Sequence, residues 1–338
     1  MTESGAAMSG SGEELFEAFL NRHDDQSWRE IVNELKPFIH EVDRTATEIW
    51  FYFFPLALLR GLQQADDPEH IALKLSLDGT YFLANQIDSS HQFLYGHRYW
   101  PRVKAAVSQL AASPGAPASL DLANLIRRVA SDVAGKERVA EPLVVGITAV
   151  AFMTLQQVGA QAFKASPGTI GKLSAKSPEQ ILSERARDDS QGLLSIFRPD
   201  KVFTITFDES DSSAKFKLIN TQHLTTAAAN DKRDYHSREP RCVIGEGPIP
   251  IQCRSASCGT CWVGVLAGAE KLSEVAGLEW RRIKEFGYID TDEARPIIRL
   301  ACQAQAYSNV SIVIPPWNGV FGKFIRGQKS LLEELTQG

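Results

Sequence analysis

Four of the five cysteines in the chain form a group whose spacing suits metal ligation. Cys253, Cys258 and Cys261 make a C-x4-C-x2-C run in the segment IPIQCRSASCGTCWVGV, and Cys302 follows later in the segment IIRLACQAQA. A cysteine thiolate is a soft anionic ligand, and four of them can satisfy a centre that needs sulfur at fixed geometry. The odd count therefore indicates a metal site built from four cysteines and one further cysteine, Cys242.

The residues between the first three cysteines are small, which lets backbone N–H groups approach the sulfur atoms. They are Ser255, Ala256, Ser257, Gly259 and Thr260. The motif CRSASCGTC resembles the cluster loop of [2Fe–2S] ferredoxin domains of the plant and bacterial type. The stretch RLACQ resembles the segment that carries the last ligand in that family. The C-x4-C gap fits the plant-like branch, since the adrenodoxin-like branch has one more residue there.

The resemblance covers residues 200–318 and implies a β-grasp fold and a [2Fe–2S] cluster as cofactor. It also implies the four cluster ligands, which are Cys253, Cys258, Cys261 and Cys302. The chain departs from the family at Ala256, where glycine is frequent, so that a positive φ at this position would be strained. It also has a long gap before Cys302 and an apparent insertion over 231–247, in which we expect Cys242 to be an inert structural residue.

Other interpretations of the cysteines fit less well. A zinc ribbon needs two C-x2-C knuckles, and the chain has one. A thioredoxin-like redox pair would have no use for Cys253 and Cys302. The four cysteines together therefore favour the iron–sulfur interpretation.

Three residues beside the ligands leave alternatives open. Arg254 and Arg299 either favour the reduced cluster by their charge, or point to solvent or pair with neighbouring acids. Trp262 directly follows Cys261 and either shields the cluster from water or packs in the core.

Residues 13–187 show helical patterns, for which we expect six to nine helices and no sheet. The apolar residues Leu122, Leu125, Ile126 and Val129 recur at helical spacing, and Ser119 is a plausible N-cap of that helix. The segment from Ser177 combines a capping box with a proline at the first helical position.

The pattern changes near residue 190, where β-rich runs begin. Strands are predicted at 201–207, 215–220, 262–266, 297–304 and 309–315, and helices at 221–230 and 274–287. This order of elements is that of a β-grasp domain. A last helix is expected beyond Pro316.

The sequence thus predicts an α+β protein, in which a C-terminal β-grasp ferredoxin-type domain is preceded by an all-α helical domain. Its expected parts are a disordered N-terminus (1–12), the helical domain (13–187), a linker (188–199), the cluster domain (200–318) and a C-terminal helix or tail (319–338).

The helical part contains one candidate for a second metal site. Asp88 and His91 have the D-x-x-H spacing of a carboxylate-bridged di-iron helix, and Glu41 and Glu48 precede them. A di-iron site needs a second such motif, and none is present. A satisfied histidine in an aromatic cluster is therefore the preferred interpretation, although the segment 97–102 could also form a docking surface.

Composition and charge place limits on the function. The chain has 338 residues, 43% of them hydrophobic, and a net charge of −5, which argues against a general nucleic-acid binder. The N-terminus lacks the features of a secretory signal, and the two most apolar stretches, 50–59 and 142–155, fall short of the roughly 20 residues that cross a bilayer. Because thiolate clusters need a reducing compartment, we expect a cytoplasmic protein.

These observations predict a one-electron transfer protein rather than an enzyme, since no nucleotide-binding fingerprint accompanies the cysteines. We expect it to pass electrons between redox partner proteins, with the helical domain serving docking or homo-oligomerisation. Two alternatives remain open: a redox sensor, and a subunit of a larger oxidoreductase with a second site in the helical domain.

Overall fold

The computed structural model describes residues 11–113, 121–187 and 201–322. The predicted linker, most of the predicted C-terminal helix or tail, and Ser119 lie outside these residues. The first helix begins at Gly12 and is capped by Ser11, at the C-terminal end of the segment predicted to be disordered. The reason is a capping box, in which Ser11 and Glu14 satisfy each other's backbone N–H groups.

Ten α-helices occupy the described residues before 188, more than the six to nine predicted. They are α1 (Gly12–Leu20), α2 (Asp25–Leu35), α3 (Glu41–Phe53), α4 (Leu56–Gln64), α5 (Pro68–Lys74), α6 (Trp100–Ala111), α7 (Leu122–Glu137), α8 (Pro142–Val158), α9 (Ala160–Ala165) and α10 (Pro178–Ala186). The higher count reflects local breaks: Pro55 separates α3 from α4, and Gly159, with a φ of 82°, separates α8 from α9. Asp121 caps α7, and the capping box predicted at Ser177 is confirmed at the start of α10.

The second part of the chain forms a five-stranded sheet. Its strands are β2 (Val202–Thr206), β3 (Lys215–Ile219), β4 (Trp262–Ala267), β5 (Ile298–Leu300) and β6 (Val310–Val313), and two helices, α11 (Leu224–Ala228) and α12 (Gly277–Phe286), connect them. Two further strands, β1 (Asp78–Gly79) in the first part and β7 (Trp317–Asn318) near the end, form a separate two-stranded sheet. The strand order is β3-β2-β6-β4-β5, in which β2 and β6 are parallel and the other pairs are antiparallel. The described chain is therefore α+β, as predicted.

Two sequence predictions about strands are wrong in detail. β1 lies in the part expected to contain no sheet, and it pairs with β7 in an antiparallel ladder. Thr80 N–H also donates to the carbonyl of Pro316, so backbone groups of the segment after α5 are satisfied by a part of the chain that is distant in sequence. The strand predicted over 297–304 ends at Leu300, because the N–H groups of Gln303 and Ala304 turn back to the Leu300 carbonyl.

The helices and the sheet share one hydrophobic core. Helix α3 packs directly on β4, with the Phe53 ring 5.1 Å from the Trp262 ring in an edge-on arrangement. Gly264 in β4 makes this close approach possible: a Cβ built there would lie 2.6 Å from Ile49 and 2.9 Å from Val313. The two parts are therefore packed as closely as the interior of one domain.

Replacing Gly264 with alanine is expected to destabilise the protein by about 1–3 kcal/mol, because the added methyl group would force α3 and the sheet apart. The urea midpoint of unfolding measures the effect. Gly135→Ala in α7 is the matched control, since a Cβ there meets no atom within 4 Å. Equal midpoints for the two variants would contradict the close packing of Gly264 on Ile49.

Candidate iron–sulfur site

The loop that carries the first three cysteines is turned so that its backbone faces a cysteine sulfur. Arg254, Ala256 and Gly259 have φ values of 56°, 58° and 70°. The N–H groups of Ser255 and Ser257 point at Cys253 Sγ, at 3.5 Å and 3.3 Å. Such contacts stabilise a thiolate and any more negative state of a group bound to it.

The positive φ of Ala256 confirms the strain expected there. Ala256 is buried, so the loop holds an L-residue in a conformation that glycine adopts more readily. The backbone N–H of Ala256 lies close to the Cys302 thiol and helps to lower the pKa of that thiol. The strained conformation is therefore coupled to the approach of a loop amide to the fourth cysteine.

Strand pairing brings the distant cysteine to the loop. Trp262 in β4 is paired with Leu300 in β5, and the two strands are antiparallel. Cys261 lies just before β4 and Cys302 just after β5, so both stand at the same edge of the sheet. The N–H of Ala301 donates to the Cys261 carbonyl at 2.9 Å and extends the pairing up to the site.

The four thiols form two pairs. Cys253 is paired with Cys258, and Cys261 with Cys302, in that the side chains of each pair shift each other's pKa. Among the described residues no three His, Cys, Asp or Glu side chains converge on one point as a single ion would require. Two adjacent pairs of sulfur ligands fit a centre of two metal ions, each bound by two thiolates.

Within each pair, one thiol has a lowered pKa and the other a raised pKa. Burial acts to raise the pKa of Cys253, but hydrogen bonds from Ser257, Ser255 and Cys258 outweigh it and lower the pKa to about 6. The hydrogen bond with Cys261 lowers the pKa of Cys302 to about 7, although burial opposes the shift. One thiol of each pair is thus prepared to ligate a metal as thiolate near neutral pH.

A buried tyrosine, Tyr288, contacts the backbone of the cysteine loop. The Tyr288 hydroxyl lies within hydrogen-bond distance of the carbonyl oxygens of Gly259 and Gly319. Its ring stacks on Trp262 at 3.8 Å, with 9° between the planes. Sequence reasoning missed this residue, since a single tyrosine after a helix carries no signal of where its hydroxyl lies.

The neighbours that the sequence left open have structural partners. Arg254 is exposed and pairs with Glu246, and Arg299 is fully buried in a bidentate ion pair with Glu279. The acid-paired interpretation thus fits both arginines. Trp262 is fully buried among aromatic rings, including Phe53 and Tyr288, which favours core packing over shielding.

Cys242 lies apart from the two thiol pairs. It is buried, and its Sγ–H donates to the carbonyl of Pro248 at 3.3 Å. Burial raises its pKa to about 11, so the thiol is protonated and unreactive at neutral pH. These contacts fit the inert structural role expected from the sequence.

The Asp88 and His91 side chains are engaged in contacts within the helical part. Asp88 accepts hydrogen bonds from Trp100, Ser166 and Gly168, among others. His91 is fully buried and its Nδ1 lies 2.8 Å from His97 Nδ1, while the backbone N–H of Gly171 donates to His97 Nε2. Glu48 pairs with Lys36 on the surface. This arrangement is that of satisfied core groups, as the preferred interpretation expected.

The buried histidine pair predicts a loss of stability in mild acid. Burial lowers the pKa of His97 to about 4 and that of His91 well below 6.5, so the unfolded chain binds protons that the folded chain does not. The stabilising contribution is complete above pH 6.5 and is lost as the pH falls toward 4, by about 3 kcal/mol for His97. Asp43, whose pKa burial raises to about 6, acts in the opposite direction in this window.

The difference in folding stability between wild type and a His97 variant isolates the contribution of His97. Urea unfolding of wild type and His97→Gln between pH 7 and 4.5 should give a destabilisation that shrinks as the pH falls, because only the wild type loses the contribution of a neutral His97. The Asp43 contribution is common to both proteins and does not affect their difference. His70→Gln, at an exposed histidine, is the control and should shift stability little at any pH. A constant gap between wild type and His97→Gln would disprove the assignment of a neutral buried His97.

Comparison with known families agrees with this geometry. Residues 244–307 match the family model of the 2Fe-2S iron-sulfur cluster binding domain, and all four paired cysteines lie within the match. The chain therefore contains a ferredoxin-type iron–sulfur domain, and its cofactor is a [2Fe–2S] cluster. No solved structure matches the chain. None of the described helices combines the length and apolar character needed to span a bilayer.

Proposed function

We propose that the protein is a one-electron carrier whose cluster is held by Cys253, Cys258, Cys261 and Cys302. The observation that carries the proposal is the strand pairing that brings Cys302 to Cys261 and its cysteine loop inside the matched segment. When bound, a [2Fe–2S] cluster supplies a reversible one-electron step, which needs no substrate site.

The chain's own groups have two tasks at this site, which are to donate hydrogen bonds to the sulfur atoms and to set their exposure. Loop N–H groups donate to Cys253 Sγ, and the Gln303 amide donates to Cys302 Sγ at 3.5 Å. These donors stabilise the added negative charge and so raise the reduction potential. Cys261 and Cys302 are buried, whereas Cys253 and Cys258 are partly exposed, so electrons would enter and leave on the Cys253 side.

The proposed fold of the second part is a β-grasp, with the domain spanning residues 200–318. The mixed sheet supports this, since β2 lies between β6, to which it is parallel, and its antiparallel hairpin partner β3. The proposed helical domain (13–187) covers one side of the sheet through α3, and the common core supports a role in holding the cluster domain in shape. Docking of redox partner proteins and homo-oligomerisation are the further roles that we propose for it.

Analysis of the purified full-length protein tests the proposal. We expect about two irons and two acid-labile sulfides per chain, visible absorption that bleaches on reduction, and a paramagnetic signal that integrates to about one spin per chain. Reduction and reoxidation should be reversible. Zinc in place of iron, or a cluster that cannot be reduced without being destroyed, would overturn the assignment as a carrier.

A further inference from the structure

A cavity of about 470 Å³ lies between the helical part and the sheet. This volume falls within the range of small-molecule sites. Both parts of the chain contribute walls, with α10 and the segment 86–98 on one side and β4, β6 and the segment 235–242 on the other. A ligand there would touch both parts at once.

The lining of the cavity has an apolar part, here called the inner wall, and an exposed rim that includes the charged residues Lys172 and Arg238. The apolar wall includes Phe93, Leu94, Phe207, Leu266 and Ile314. Five cationic side chains, Arg98, Lys172, Arg185, Arg238 and Arg241, line the cavity together with three carboxylates, Asp208, Glu209 and Glu239. Cations therefore outnumber anions in the walls.

The carboxylates are already bound by other groups. Arg185 holds Glu209 through two hydrogen bonds of 2.8 Å, and Arg241 holds Glu239 in the same way. Asp208 accepts hydrogen bonds from the backbone N–H and the hydroxyl of Ser210. Glu209 and Glu239 are thus neutralised by their own arginines, and Asp208 keeps its charge but forms no ion pair with Arg98 or Arg238 among the described residues.

Arg98 is the less exposed of two cavity cations that lack an ion pair among the described residues. In that part of the chain its guanidinium donates to the carbonyl oxygens of Tyr95 and Ser174, and it lies 3.5 Å from the centre of the Tyr95 ring. It forms no ion pair with any carboxylate among the described residues. Arg238 is exposed and likewise forms no ion pair there, although its charge contributes to the lowered pKa of Asp234. A guanidinium fixed in this way can bind a carboxylate with two donors.

We propose that this cavity binds a small organic anion, with an apolar body against the inner wall and a carboxylate held by Arg98. Arg238 at the rim adds attraction for the negative charge. The site is separate from the four cysteines and does not depend on electron transfer.

Equilibrium dialysis of the full-length protein with its cluster tests the proposal. The probes are 2-naphthoate and its neutral isostere 2-naphthamide, which differ in the charged group alone. We expect one bound naphthoate per chain, with an affinity about tenfold or more above that of the amide, since a charge-assisted hydrogen bond contributes at least this much. Arg98→Gln should remove most of the preference for naphthoate over the amide, leaving the several-fold share that Arg238 contributes, and Arg98→Lys should recover part of the loss.

The controls separate the cavity from general attraction to a charged surface. Arg128→Gln removes the same charge from an exposed position on α7 and should leave naphthoate binding unchanged. Arg238→Gln, at an exposed rim position, should weaken naphthoate binding several-fold without unfolding the protein. Equal affinities for the acid and the amide, or the same loss in Arg128→Gln as in Arg238→Gln, would overturn the proposal.

Discussion

Replacing Cys258 with serine is expected to abolish the visible absorption of the [2Fe–2S] cluster and to remove most of the iron from the purified protein. Cys258 is one of four sulfur ligands that we assign, and it is paired with Cys253. A serine oxygen is a harder and less readily ionised ligand than a thiolate, so the pair would lose much of its hold on one metal ion. The same outcome is expected at Cys253, Cys261 and Cys302.

The partly exposed and the buried cysteines should differ in one further respect. Cys253 and Cys258 are partly exposed, so serine there should leave the urea stability of the cluster-free chain nearly unchanged. Cys261 is buried in the core, where a new hydroxyl would also cost folding stability of about 1–3 kcal/mol. The comparison distinguishes loss of a ligand from loss of the fold.

Cys242→Ser is the matched control for this series. The thiol donates to the Pro248 carbonyl, and a serine hydroxyl can make the same hydrogen bond. Iron content and absorption should therefore stay at wild-type levels. An unaltered spectrum in Cys258→Ser, or a bleached one in Cys242→Ser, would show that the ligands are assigned to the wrong cysteines.

The spacing of the cysteines predicted the cofactor because three of the four lie in one short stretch of sequence. A short loop of small residues can adopt its fold around sulfur without reference to the rest of the chain. The strands β2, β3, β4 and β6 were also predicted close to their observed bounds, since alternating or β-branched runs specify a strand locally. Sequence reasoning was weakest where an element ends, as at Leu300, because the turn that follows depends on which backbone group accepts a hydrogen bond.

The relation between the two parts of the chain could not be predicted. The ladder between β1 and β7 joins residues that are far apart in sequence, and neither two-residue strand has a pattern of its own. The need for glycine at 264 arises from Ile49 on another element. The cavity beside Arg98 likewise exists only because the sheet meets the helices there. Long-range packing sets all three, and no local pattern of residues encodes it.

The second large prediction concerns the buried ion pair between Arg299 in β5 and Glu279 in α12. Glu279 in α12 accepts hydrogen bonds from Arg299 Nε and Nη2, each at 2.8 Å, and from the backbone N–H of Leu300 at 3.1 Å. Both side chains are almost fully buried. Leu300 ends the strand that leads to Cys302, so the carboxylate holds the backbone two residues before this proposed ligand.

Glu279→Gln is expected to destabilise the protein by about 3–5 kcal/mol, because it leaves the Arg299 charge buried without a counter-charge. Urea unfolding measures the stability. A second readout follows the position of Cys302: iron loss to a chelator, timed by the decay of the visible absorption, should become several-fold faster in the variant. A loss of stability without faster iron release would mean that Glu279 supports the fold alone.

Glu285→Gln provides the comparison on the same helix. Glu285 pairs with Arg282 in a solvent-accessible i, i+3 contact, for which the loss should be about 0–1 kcal/mol. The double variant Glu279→Leu/Arg299→Leu should recover much of the stability lost in Glu279→Gln, since an apolar pair of similar size leaves no buried charge. If Glu279→Gln were no less stable than Glu285→Gln, the Arg299 charge would have to be solvated, and Glu279 could not be what holds β5 at the cluster.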